Sequence, residues 1–138
     1  MNKFTLHKFC VKTPSMSKET PFAIRSKVWI EDKTGKVIFG LGRFRILSAI
    51  DRCGSINAAA KDLKMGYRAV WGKIKATEEG LGQPLLVRNA GGAAGGGSTL
   101  TPLARKLLEE FNKVHSHVLT ESDAFFEAVF EKKIKEEL

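Results

Sequence analysis

The sequence predicts a mainly α fold with a small amount of β: a winged helix-turn-helix with an N-terminal β-hairpin and a long C-terminal helix. Three observations predict it. Three short helical stretches between Gly42 and Glu79 are separated by tight breaks at Gly54-Ser55 and Met65-Gly66. A strand, a glycine loop and a second strand follow directly, over 84–100. A three-and-four-residue apolar period then runs on from Leu103.

The elements follow in chain order. Residues 1–22 contain Thr13-Pro14-Ser15 and Thr20-Pro21 and hold no period, so a flexible arm is expected. Val28-Trp29-Ile30 and Val37-Ile38-Phe39 flank Asp32-Lys33-Thr34-Gly35-Lys36, the pattern of strand, tight turn and strand. In the first helix Phe44, Leu47, Ile50 and Cys53 recur at three-residue steps, and Gly54 stops it. Ser55 caps the second helix, Ile56 to Lys64, whose Ala58-Ala59-Ala60 lets a neighbour approach closely. The third helix, Tyr67 to Glu79, turns Val70, Ile74 and Thr77 inward. Pro84 to Arg88 and Ser98 to Leu100 read as strands around the glycine loop 89–98, the form of a wing. Thr101-Pro102 opens the last helix as N-cap and first residue. Its apolar positions are Leu103, Leu107, Phe111, Val114, Val118, Phe125 and Val129, with a gap near Glu121-Ser122. One helix to Leu138 would reach roughly 55 Å, more than a small domain covers. Packing on another chain is therefore expected, with a break near Thr120 to Asp123 as the alternative. The expected units are an arm (1–22), a DNA-binding domain (23–100) and a dimerisation segment (101–138).

Composition bounds the function. The 138 residues suit one domain and an extension. No apolar run approaches the roughly 18 residues of a membrane span, and Met1 to Met16 has no apolar core of a secretory signal. Two cysteines, Cys10 and Cys53, make no disulfide framework or metal-ligand spacing, and a reducing cytoplasm is the simplest setting. Net charge is +8. Residues 1–100 carry 17 basic and 7 acidic groups, net +10, and residues 101–138 carry 6 and 8, net −2. A polyanion is drawn to the first part. A merely soluble basic protein would show the same total.

The DNA site is read from the second and third helices. The N-terminal residues of a recognition helix reach base edges in the major groove. Here they are Tyr67, Arg68 and Trp71, with Arg68 suited to bidentate bonds with guanine. Lys73 and Lys75 are placed for phosphates, as is Arg88 at the wing. Ser55, Ile56 and Asn57 offer helix N-terminal amides to a phosphate oxygen. Gly95 and Gly96 let the wing backbone approach DNA. A nucleotide-binding loop is the competitor for the glycines, but no Gly-Lys-Ser/Thr follows them. Each assignment has a plainer rival: core packing for Trp71, a solvated face for Lys73 and Lys75, a surface ion pair for Arg68.

At this point a resemblance is specific. The run from Cys53 through Gly54-Ser55-Ile56 to Tyr67-Arg68-Ala69-Val70-Trp71 resembles the helix-turn-helix of the ModE family of molybdate-responsive transcription regulators. Gly91-Gly92-Ala93-Ala94-Gly95-Gly96-Gly97-Ser98-Thr99-Leu100-Thr101 is similar to that family's glycine wing. Val28-Trp29-Ile30 and Gly35-Lys36-Val37-Ile38-Phe39-Gly40 look like the start of its stand-alone members. More distantly, Ala69-Val70, Ile74, Glu78-Glu79 and Leu81-Gly82 resemble the DNA-binding half of LysR-type regulators. The likeness covers roughly residues 25–115. It implies double-stranded DNA as partner and a homodimer through the C-terminal helix. The sequence departs from the pattern at Gly66, where the family usually has Ser, and at Ala93-Ala94. Full-length members carry molybdate-binding domains, which the last helical segment does not resemble. DNA binding without molybdate sensing is the expectation.

Rival classes are weaker. His7, His115 and His117 are expected outside the core, and His115 and His117, two apart, diverge on a helix. No nucleophile–base pair stands out, so no catalytic residue, cofactor or metal ligand is expected. Cys53 on an apolar face reads as a small hydrophobe rather than part of a metal sensor. A winged protein-interaction module, or an effector- or metal-responsive regulator of little DNA specificity, is the alternative. An RNA binder would need an aromatic platform that is not visible.

Overall fold

A computed structural model of the chain describes residues 22–89 and 96–137. The arm before Phe22, with His7 and Cys10, and the loop centre, Ala90 to Gly95, lie outside the described residues. Two compact units are present. One is Trp29–Phe111; the other comprises the described residues on either side of that span.

The first unit opens with the expected hairpin, β1 (Trp29–Glu31) and β2 (Val37–Gly40), antiparallel with a bulge between Ile30 and Glu31. Its turn is set by Asp32, whose Oδ1 accepts from Thr34 Oγ1 (2.6 Å), Thr34 N (2.8 Å) and Lys36 N (3.1 Å). These bonds, the Thr34 hydroxyl first, hold the Asp32 carboxyl below its ordinary pKa. Gly35 takes a φ of 85°, which a β-carbon would strain. β1 is exposed throughout, whereas Ile38 and Phe39 of β2 are buried.

Helix α1 (Leu41–Cys53) ends on Gly54 at φ 82°, and its N–H donates to Ile50 O, as the glycine stop predicts. Helix α2 (Ile56–Asp62) is capped by Ser55, whose Oγ accepts from Ala58 N at 3.0 Å. It ends before Lys64, which takes a φ of 54°. Helix α3 (Tyr67–Leu81) stops at Gly82, φ 66°. The wing strands β3 (Leu86–Arg88) and β4 (Ser98–Leu100) pair antiparallel, Leu86 with Leu100 and Arg88 with Ser98. They form a sheet separate from the hairpin. Thr101 joins the wing to helix α4 (Pro102–Phe126): its Oγ1 donates to Pro84 O at 3.0 Å and accepts from Ala104 N at 3.2 Å.

The core of this unit is the ring cluster of Phe39, Phe44 and Phe111, with centroids 5.1 and 5.8 Å from Phe111. Leu47, Ile50, Ala59, Val70 and Leu85 are fully buried with it. Burying such side chains contributes about 1.5–3 kcal/mol each.

The last helix corrects three expectations. The buried stripe of α4 is Ala104, Leu108, Phe111 and His115, in steps of four, three and four. His115, which lies in the second unit, is buried at 6% exposure, where the sequence placed it outside the core. Of the apolar residues expected to form one face, Leu103 and Val114 are exposed, as are Phe125 and, beyond α4, Val129. There is no break at Thr120 to Asp123. That stretch has no Gly or Pro, so a gap in the apolar pattern does not interrupt the backbone. The irregularity comes later, as a π-helical turn at Glu127–Glu131 before helix α5 (Lys132–Lys135). In the second unit Phe126 stacks on Phe130 at 4.8 Å, and Phe22 meets Phe130 edge-on at 6.4 Å.

Candidate nucleic-acid interface

The third helix presents two chemically different faces. Val70, Ile74 and Thr77 are buried inward, and Thr77 Oγ1 lies 2.9 Å from Ile38 O and 3.1 Å from Lys73 O. One hydroxyl proton is shared between those two acceptors. This anchors α3 to β2 by a polar contact inside an apolar surround. At the far end Glu78 Oε1 accepts from Leu85 N at 3.2 Å, fixing where the chain enters the wing.

The exposed surface of the helix, from the flanks of the buried face round to its far side, carries the residues the sequence selects. Tyr67, Arg68, Trp71, Lys73 and Lys75 are all exposed. Trp71 is 39% and Tyr67 44% accessible, so core packing does not account for either. Lys75 Nζ sits 5.8 Å from the Trp71 ring centroid and 3.1 Å from Glu78 Oε2. Its charge is thus partly engaged along its own helix. The Lys75 side chain is 46% exposed and the Glu78 side chain 14%, so the pair lies only half in solvent.

For the second helix the sequence selects backbone amides rather than side chains. Ile56 is buried and Asn57 exposed. Ser55 Oγ is occupied by Ala58 N, while the amides of Ile56 and Asn57 precede any acceptor one turn back. These two point where an anion is favoured. Arg88 and Gly96 are exposed at the wing, and Gly95 lies outside the described residues. The wing base is held by Ser98 N donating to Gly54 O at 2.8 Å and Asn89 N to Gly97 O at 2.9 Å. Asn89 Nδ2 also donates to Thr99 Oγ1 at 3.2 Å. The sequence reading missed these contacts. The glycines of 91–97 read as a wing loop approaching DNA, and nothing local marks Gly97 as facing Gly54, 43 positions earlier.

Among the described residues no group of three or more His, Cys, Asp and Glu is arranged to hold a metal ion. Cys53 is half-buried and unpaired with any other cysteine there. No described helix is long and apolar enough to cross a membrane.

Comparison with known proteins bears on this arrangement. Residues 41–105 match the family described as bacterial regulatory helix-turn-helix protein, lysR family. The chain is 44% identical over 70 residues to the transcriptional regulator ModE of Haemophilus influenzae, covering 51% of this chain and 28% of that protein. It is 38% identical over 79 residues to the molybdenum-pterin-binding protein MopB of Rhodobacter capsulatus, covering 57% and 29%. To the molybdenum transport protein ModE of Azotobacter vinelandii it is 46% identical over 66 residues, covering 48% and 24%. The matched segment thus spans less than a third of each relative, and no enzyme is among these three. In fold, the chain is similar to the CbnR DBD–DNA complex structure, with a TM-score of 0.53 and 23% identity over 65% of this chain and 98% of that one. VV2_1132, a LysR family transcriptional regulator, gives 0.51 and 22%, covering 65% and 29%. Both likenesses place the architecture among winged helix-turn-helix domains.

Proposed function

We propose that this chain, whose residues 41–105 match the lysR-family helix-turn-helix and resemble ModE, is a sequence-specific, double-stranded DNA-binding transcription regulator that works as a homodimer. The observation that carries the proposal is the division of α3. Its inward face is locked by Val70, Ile74 and Thr77, and its outward face offers Tyr67, Arg68 and Trp71. A rigid helix with an exposed polar-aromatic edge is what groove reading requires. Arg68 reads a base, Tyr67 and Trp71 contact base or sugar surfaces, and Lys73, Lys75 and Arg88 neutralise phosphates. The amides of Ser55, Ile56 and Asn57 and the wing around Gly95 and Gly96 lie along the backbone. The exposed α4 stripe of Leu103 and Val114, continued by Phe125 and Val129, supplies the dimer contact. Two recognition helices then read half-sites about 34 Å apart. The setting is the cytoplasm, where such a target is met. No cofactor and no molybdate site are proposed.

Selection of bound sequences from random duplex DNA, with and without molybdate, tests this reading. A single enriched motif with two half-sites is expected, the same in both conditions. Arg68→Ala should lower affinity for it by roughly 1–3 kcal/mol and relax one base position. Equal binding to all sequences by the unaltered chain would instead favour a protein-interaction module, for which the exposed Tyr67 and Trp71 would be the contact.

A further inference from the structure

Helix α3 contains two interior glycines, and they differ in why they are there. At Gly80 the fold supplies the reason: a β-carbon would run into the buried side chain of Ile38 on β2. At Gly72 it supplies none. The position is exposed, its backbone is ordinary helix, and a β-carbon would point into open space. After proline, glycine is the least favourable residue in a helix interior, because it has the most backbone freedom to lose. Gly72 therefore weakens α3, and no contact among the described residues offsets that. Its place on the helix is specific. At about 100° per residue, Val70 and Ile74 lie about 160° round the helix from Gly72, and Thr77 about 140°. Those three form the buried side, so Gly72 marks the line of α3 turned directly away from the core. Arg68, one turn earlier, lies about 40° from that line and Lys75 about 60°, and both are exposed. Tyr67, Trp71 and Lys73 stand out on the flanks, about 100–140° away. The middle of the exposed side is thus a notch bordered by side chains. About 10 Å further along, the exposed Glu79 ends it with an acidic group.

We infer that Gly72 is a positioning residue for DNA reading: its missing side chain lets the backbone of α3 sit against the base edges of the major groove, at the depth from which Arg68 reaches them. The inference rests on the sequence-specific DNA-binding reading and adds to it. A helix in the major groove comes closest to the base edges along the line opposite its buried side, and on α3 that line passes through Gly72. A side chain there would act as a spacer and lift Arg68 away from its base. Phosphate contacts, which hold a protein on any duplex, do not need this depth. Filling the notch should therefore move fold stability and sequence reading in opposite directions.

The test compares the full chain with Gly72→Ala in thermal unfolding and in binding to two duplexes, the enriched one and one of scrambled sequence, at one salt concentration. Gly72→Ala is expected to unfold several degrees higher than the unaltered chain. It should lose about tenfold or more in affinity for the enriched duplex, as when one base pair is misread. For the scrambled duplex, held by phosphates alone, it should lose less than about twofold. Gly72→Gln, a longer helix former, should lose more on the enriched duplex and again little on the scrambled one. Gly42→Ala, at an open position in the first turn of α1, is the control and should leave both affinities unchanged. A glycine with a merely structural role would give a less stable chain that binds both duplexes less well, in proportion to the folded protein lost. That result, or failure of Gly72→Ala to fold, overturns the inference. So does an equal loss on both duplexes, which would put the effect at the phosphates. If the unaltered chain enriches no sequence, the sequence-specific reading fails and the inference falls with it. If it enriches one and Gly72→Ala binds that duplex equally well, only the seating of α3 through Gly72 fails.

Discussion

Ser48 and Thr77 are both buried hydroxyl residues, at 5% and 1% exposure, and they differ in what the hydroxyl meets. Among the described residues Ser48 Oγ has no hydrogen-bond partner. A buried unsatisfied hydroxyl costs about 1–3 kcal/mol relative to its bonded state. Ser48→Ala should therefore be neutral or raise stability by up to about 1 kcal/mol in a denaturant titration. Thr77→Val should go the other way, by about 1 kcal/mol. It strips a donor from Ile38 O, although Arg43 Nη1 still donates to that oxygen and limits the loss. A stabilising Thr77→Val would show that the bond does not anchor α3. Both effects were hidden in sequence. Ser48 reads as one polar position in a helix, and Thr77 reads as part of an inward face without a named acceptor.

The helices differ in how their first turns are finished. α2 has a side-chain cap in Ser55, and α3 begins at Gly66 with none. Ser55→Ala should cost about 1 kcal/mol. Gly66 has φ −69° and ψ 144°, an ordinary extended backbone, and open space where a β-carbon would go. Gly66→Ser can thus add the missing cap without strain, and a gain of a few tenths of a kcal/mol in thermal unfolding is expected. A loss would mean that Gly66 serves something other than the helix start. These boundaries were legible because capping and termination are local. Ser55, Gly54, Gly82 and Thr101 each act within a few residues of their own position. The length of the last helix was less legible. Its apolar gap at Glu121-Ser122 suggested an interruption, but a gap in the apolar pattern leaves the backbone hydrogen bonds of the helix in place.

Charge and exposed apolar surface are distributed unevenly along the chain. The basic excess lies in residues 1–100, and the last 38 residues are slightly acidic. DNA affinity should therefore fall steeply with salt, while the proposed self-association through α4 should not. The exposed Val114 and Phe125, at 54% and 71%, are the means of testing the second half. Val114→Asp with Phe125→Asp should convert a dimer to a monomer in sedimentation without a large loss of folded stability. Operator affinity should drop with it, since one recognition helix in place of two halves the contacts. A variant that remains dimeric moves the interface elsewhere.

The helix-turn-helix, the wing strands and the hairpin follow from short-range chemistry: apolar period, caps, and glycines at positive φ. That is why the sequence alone suffices for them, and why Tyr67, Arg68 and Trp71 can be picked out from the periodicity of α3. Which of two adjacent stripes of α4 is buried is another matter. Leu103 and Val114 are more apolar than Ala104 and His115, yet the latter pair is inside, because the helix is rotated by what it packs against and not by its own pattern. The approach of Gly97 to Gly54 likewise depends on chain segments 43 residues apart being brought together. Local preferences set the elements; only their packing decides which faces are used and which backbone atoms touch.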